Sequence, residues 1–286
     1  MKETASERPL FGLQRWPKKS LVVLVILLAF AWSAKGARLA PTELFSADSK
    51  ANVLRFVTGL FPPDLSPKFL ASLIQPTIET IQMSIVGVVL GALVAFPLSF
   101  LATRTLSSSQ TPGVGLTGRL FLGHIPYLAA RNFLNFLRAV PELVWALIFI
   151  SAVGLGPFAG VLALAVHSAG LLGKLYAEAM ESIDIEPVEA IRALGGNRIK
   201  ATAYAVLPQA APNFVSLTLY QWECNARTAT ILGFVGAGGI GQSIDIAMRL
   251  FQYNEVLTLI AVVFLIVFFV DNASALIRKA LVPANR

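Results

Sequence analysis

Long apolar runs alternate along this chain with short polar breaks marked by Gly, Pro or basic residues. A hydrocarbon layer about 30 Å thick takes roughly 20 apolar residues of helix to cross. The first run, residues 21–34, follows Arg15, Lys18 and Lys19 and is bracketed by Trp16 and Trp32. It is as short as the core of a signal peptide. The long basic stretch before it, and Trp32 and Lys35 in the small-x-small cleavage frames, favour an uncleaved anchor. Residues 35–72 are mixed, with Pro62, Pro63, Asp64 and Pro67, and predict an extramembrane loop with some amphipathic helix.

The second span is predicted at Pro76–Leu101, closed by Arg104, and carries Gly87-x-x-x-Gly91, a spacing that lets a neighbouring helix approach closely. Residues 105–122 read as a loop. Tyr127–Arg138 is amphipathic, with Arg131, Asn135 and Arg138 on one face, and Pro141 predicts a kink before the third span ends near Val153. Gly154-Leu155-Gly156-Pro157 is a turn, and Phe158–Tyr176 the fourth span. Residues 182–208 are polar and read as helix, break, helix. Asp184 and Pro187 mark the first start, Gly195-Gly196 the stop, and Asn197 the second start. The fifth span is predicted at Pro212–Val235, a turn at Gly236–Gly241, and the sixth span at Val256–Val270, extending toward Ile277. The pattern therefore predicts an all-α polytopic membrane protein of about six transmembrane helices.

Composition agrees. Of 286 residues, 56% are hydrophobic and 14% charged, and the mean hydropathy is +0.70. A soluble domain carries about 25% charged residues, so a soluble enzyme and a disordered chain are excluded. The net charge of +7 resolves into orientation. With the N-terminus inside, 16 of the 23 Lys and Arg fall on the cytoplasmic segments 1–20, 104–138, 174–200 and 278–286. That places both termini in the cytoplasm, the 1–20 tail and the 281–286 tail included. One cysteine, Cys224, excludes an internal disulfide, and two histidines, His124 and His167, are too few for a His-rich metal centre. There is no Gly-x4-Gly-Lys-Ser/Thr. Gly236-x-Gly238-x-x-Gly241 matches a dinucleotide fingerprint by letter, but it joins two apolar spans and lacks the acidic residue about 20 positions on.

The sharpest pattern is Glu189-Ala190-Ile191-Arg192-Ala193-Leu194-Gly195, followed after nine residues by Ala205-Val206-Leu207-Pro208. It resembles the EAA loop of ABC importer permeases, Glu-Ala-Ala-x-x-x-Gly-x9-Ile-x-Leu-Pro, with Ile191 in place of the second Ala and Ala205 in place of the Ile. Small Ala190 and Ala193 suit close seating in a partner's groove. Glu189 and Arg192 offer polar contacts, and Gly195 permits a left-handed turn. Further segments, Arg138–Leu147, Val153–Leu164, Gly233–Gly241 and Phe61–Leu65, are similar to the phosphonate importer permeases (PhnE-type), so that the likeness covers roughly residues 50–280.

This resemblance implies a type I ABC importer permease fold over residues 73–280, with 182–208 as the cytoplasmic coupling loop. It implies a transport subunit of the cell inner membrane that is not itself an enzyme and holds no cofactor, with ATP and Mg bound by partners. Those partners are a second copy of the permease, two cytoplasmic ATP-binding subunits and a periplasmic phosphonate-binding protein. Nucleic acid has no place in the set. A self-contained ion-coupled anion transporter or channel is the alternative; it calls for an internal repeat and broken helices at mid-membrane, and no repeat is evident.

Ser216, Tyr220, Glu223, Arg227 and Thr230 recur at helical spacing in the fifth span and predict a polar stripe lining the pathway, with Glu142 as a further candidate. Two readings of Arg227 stand at this point. It pairs with Glu223 one turn away, or it meets the oxyanion through parallel hydrogen bonds. Glu142 has a partner in prospect, Arg138, four residues earlier. His167 in mid-span reads as a buried neutral side chain or, less simply, a proton relay.

Overall fold

The computed structural model describes residues 16–37, 46–103 and 124–281. Arg104, the loop expected at 105–122, most of the N-terminal tail and the C-terminal tail from residue 282 lie outside the described residues. Two units are distinguished, Met1–Thr58 and Gly59–Arg286. In the first, α1 (Trp16–Gly36) carries the apolar run, with Leu21 to Phe30 exposed along every face, and α2 (Ala47–Gly59) is a more polar helix. An all-round apolar helix finds its solvent in lipid or in a neighbour.

The second unit is a helical bundle, and no strand occurs among the described residues. A short α3 (Pro67–Ser72) is capped by Ser66, whose Oγ accepts from the Phe69 amide, and leads into α4 (Ile74–Ala102). Next come α5 (Ile125–Ala139), α6 (Glu142–Val153) and α7 (Pro157–Glu181). Then follow α8 (Glu186–Ala193), a one-turn α9 (Arg198–Ala201), α10 (Leu207–Gly233), α11 (Gly239–Arg249) and α12 (Tyr253–Leu281). By length and composition α3–α4, α7 and α12 can each cross a membrane, and α5 with α6, bent by 86°, is together long and apolar enough to count as a fourth if the bent pair is one span. α10 spans 27 residues but is too polar to qualify on hydropathy, for reasons that appear at its buried face.

Two of the breaks have local causes. Pro141 has no amide hydrogen and cannot continue α5, so the chain turns at Val140 and restarts. Trp145 Nε1 donates to the Leu137 carbonyl freed by that turn, at 3.1 Å. Between α9 and α10, residues 202–206 form wider π-helical turns, in which the Leu207 amide reaches back to the Thr202 carbonyl. Pro208 follows directly, and a wide turn accommodates a ring that an ideal α-turn would push into the carbonyl four residues back. The expected turn at Gly236–Gly241 is shorter than its glycines suggest. It ends at Gly238, and α11 begins, because Glu79 Oε2 accepts from the Gly239 amide at 3.2 Å and Thr80 Oγ1 from the Ile240 amide at 2.9 Å. Both caps come from α4, 160 residues earlier, so no local signal announces them.

α7 is the centre of the bundle and packs on α4, α5, α6 and α10. Its contact with α4 uses the small-residue pair. A Cβ at Gly87 would stand 2.7 Å from Leu164 Cβ, and one at Gly91 2.6 Å from Ser168 Cβ. Toward one end, Ala95, Leu172, Tyr176, Met180, Val188, Ala205 and Phe214 form a core that includes α8 and α9. Toward the other, Leu73, Ile240, Ile244, Val256 and Leu259 join α11 and the start of α12. Outward faces remain apolar: Val89 and Leu93 on α4, Phe264, Leu265, Phe268 and Phe269 on α12. A contiguous apolar exterior of this kind calls for lipid rather than water.

Candidate coupling and translocation sites

At one end of the bundle α8 is seated by its own apolar positions. Val188 is buried and Ile191 half-buried against α7 and the α9–α10 junction. The opposite face, with Glu189, Ala190, Arg192 and Ala193, is exposed, and Leu194 beyond it is 89% exposed. Neither Glu189 nor Arg192 has an ion-pair partner among the described residues. Asp184 Oδ1 accepts from the Glu186 amide at 3.2 Å, and Asn197 Oδ1 from the Lys200 amide at 2.9 Å, which fixes both helix starts. Gly195 takes φ +78°, and the amides of Gly195 and Gly196 return to the carbonyls of Arg192 and Ile191, closing α8. Gln209 on α10 braces the loop. Its Oε1 accepts from the Asp184 amide and its Nε2 donates to the Asp184 carbonyl.

The expected polar stripe on α10 is divided between different neighbours. Tyr220 is 53% exposed, Ser216 is half-buried, and Thr230 is buried with its hydroxyl turned to the Ala226 carbonyl. Glu223 and Arg227 do not pair with each other. Glu223 accepts from Ser274 Oγ and lies 3.1 Å from Arg278, while Arg227 lies 3.4 Å from Asp271, so both partners belong to α12. An i,i+4 pair on one helix contributes only about 0.2–0.5 kcal/mol. An antiparallel neighbour presenting opposite charges to both residues therefore prevails.

Glu142 is likewise not paired with Arg138. The bend at Pro141 puts the two on different helices, so the four-residue spacing no longer means one face. Arg138 Nε donates to Asn135 Oδ1 at 3.2 Å, and Glu142 lies 3.7 Å from His167 Nε2 and 3.4 Å from Thr228 Oγ1. His167 Nδ1 faces the Val140 carbonyl at 3.3 Å. Glu142, His167 and Thr228 thus join α6, α7 and α10 at the elbow of the bent span.

Beside it lies a polar cluster that residue spacing alone did not single out. Asn225 Nδ2 donates to Ser168 Oγ at 3.0 Å, and Gln221 Nε2 donates to Asn225 Oδ1 at 3.0 Å, all three side chains being buried. Ser168 stands near the middle of the 25-residue α7, so this cluster occupies mid-bundle depth. Gln221 and Asn225 share a face of α10 one turn apart, which was the available signal. Their partner, Ser168, was not visible in any local pattern. These residues also explain the low hydropathy of α10.

The model of the binding-protein-dependent transport system inner membrane component family matches residues 111–284. The chain belongs to that family. It is a multi-pass inner-membrane transport subunit of the ABC importer permease type, and the family is one of transport subunits rather than enzymes. It is 37% identical over 275 residues to the phosphite transport system permease protein PtxC of Stutzerimonas stutzeri, covering 94% of this chain and 91% of the relative. It is 34% identical over 254 residues to the phosphate-import permease protein PhnE of Mycolicibacterium smegmatis, covering 89% of this chain and 44% of that one. In fold it is similar to the inward-facing MetNI methionine ABC transporter, with a TM-score of 0.60, 21% identity, and coverage of 76% of this chain and 99% of that one.

Proposed function

We propose that this permease passes a phosphorus oxyanion (phosphonate, phosphite or phosphate) from a periplasmic binding protein into the cytoplasm by alternating access. The permeases of phosphite and phosphate systems to which it is similar support that substrate class. Selection among these tetrahedral anions rests chiefly with the binding protein. In this reading two copies of the chain assemble about a two-fold axis, two cytoplasmic ATP-binding subunits hold ATP and Mg, and both chain termini lie in the cytoplasm.

The observation that carries the coupling assignment is α8. It is fixed to the bundle by Val188 and Ile191 while Glu189, Ala190, Arg192 and Ala193 are left bare, a rigid surface on which another protein's motion acts. Glu142, Ser216, Tyr220, Glu223, Arg227 and Thr230 are the pathway set. The coupling experiment is Gly195→Val in the assembled importer. φ +78° is unfavourable for a β-branched residue, so α8 ends differently and ATP hydrolysis continues without uptake. Normal coupled uptake in that variant would remove the assignment.

A further inference from the structure

The two ion pairs between α10 and α12 differ in accessibility. Glu223 is 17% exposed and accepts from both Ser274 and Arg278. Arg227 and Asp271 are each 45% exposed, meet at a single contact of 3.4 Å, and have no other ion-pair partner among the described residues; the guanidinium also donates to Cys224 Sγ at 3.9 Å. One pair is closed and multiply held; the other is open and singly held. Arg227 and Asp271 both lie within long helices, α10 and α12, where an ionised side chain is costly unless it faces a partner or a water-filled cavity, whereas Arg278 stands in the last turn of α12.

We propose that Asp271 is an exchangeable counter-ion, which holds the Arg227 guanidinium between transport cycles and gives it up to the incoming oxyanion. The proposal rests on the pathway reading of Arg227 given above. A guanidinium presents paired N–H donors that fit a carboxylate or a tetrahedral oxyanion equally well. Coulomb attraction scales with the product of the charges, so a doubly ionised oxyanion displaces a singly charged carboxylate where a monoanion of similar size gains nothing. Once the bundle opens to the other side and water enters, Asp271, tethered beside the guanidinium, recovers it and the anion leaves. Glu223, occupied by Ser274 and Arg278, keeps α10 and α12 in register during the exchange. Asp271 thus favours dianions and assists release, a role distinct from solute contact.

The test uses the complete importer in proteoliposomes, with its ATP-binding subunits and binding protein, and inorganic phosphite as probe. Arg227→Gln is expected to lower uptake about tenfold. Asp271→Asn leaves the anion without its competitor, so kcat falls about fivefold while KM for the loaded binding protein does not rise. The double variant is no worse than Arg227→Gln. The exchanged pair, Arg227→Asp with Asp271→Arg, restores the ion pair but moves the cation to α12, and stays impaired. Wild-type kinetics in Asp271→Asn with Arg227→Gln impaired, or full uptake in the exchanged pair, would overturn the proposal and leave the pathway reading standing. Normal uptake in Arg227→Gln would instead remove the pathway reading. If Asp271→Asn does not assemble, Asp271→Glu decides. It keeps the charge, so uptake within about twofold of wild type is expected, and loss of uptake by an assembled complex overturns the proposal.

Discussion

The α8 end and the polar seam at mid-bundle are built on opposite plans. At the α8 end Glu189 and Arg192 face outward with no ion-pair partner among the described residues, and the apolar side chains, Val188 and Ile191, point in. At the seam the polar groups of Ser168, Gln221 and Asn225 face inward and satisfy one another, while Phe264 and Phe268 on α12 face out. The first plan leaves interaction capacity for another protein. The second consumes it within the chain. Substitutions in the two regions should therefore register in different measurements, transport coupling at α8 and thermal stability at the seam.

The largest expected effect breaks the packing of α5 on α7, the helix that carries Ser168 of the seam. A Cβ at Gly170 would stand 2.7 Å from the Arg138 amide nitrogen and 2.9 Å from the Leu134 carbonyl, so neither neighbour yields cheaply. Gly170→Val should cost about 3 kcal/mol or more, seen as loss of monodisperse protein in detergent. Asn225→Ala follows. It strips a partner from buried Ser168 and Gln221 and should cost about 1–3 kcal/mol, read as a lowered midpoint of thermal unfolding. Gln209→Ala removes the brace on the Asp184 loop and should cost about 1 kcal/mol, with a visible loss of coupling because α8 loosens. Leu194→Ser is the smallest in stability, within about 0.5 kcal/mol, yet it should weaken co-purification of the ATP-binding subunits. A large drop in unfolding midpoint for Leu194→Ser, or none for Asn225→Ala, would erase the distinction between the regions.

The same contrast sets what could be read from the residues. The α8 end is coded locally: Asp184, Gly195 and Asn197 each act within a few positions of their own place, and their conformations follow from residue type. The long apolar runs are equally legible, since crossing a membrane is a property of one segment. The partners of the α10 charges are not. Arg227 had a carboxylate available four residues away, and its partner comes instead from 44 positions on. Glu142 shows how a single proline undoes a spacing argument, because the helix that would have carried Arg138 to it ends at Pro141. The start of α11 was hidden for a related reason, being capped by Glu79 and Thr80 from 160 residues earlier. Residue type reveals that a charge at depth needs company; only the fold says whose.

The interlock of α4 with α7 has a mechanical consequence. Leu164 and Ser168 sit over Gly87 and Gly91 so closely that a one-residue slide would drive side chains into backbone. Shear between these two helices is blocked, and they move as one body. Any change between inward-open and outward-open forms must then be taken up at the places where the helical hydrogen bonding is already interrupted. Among the described residues those include the proline elbow between α5 and α6, the glycine turn between α6 and α7, the wide turns before Pro208, and the glycine turn ahead of α11. The sequence thus sets, through two missing side chains, which joints are left to hinge.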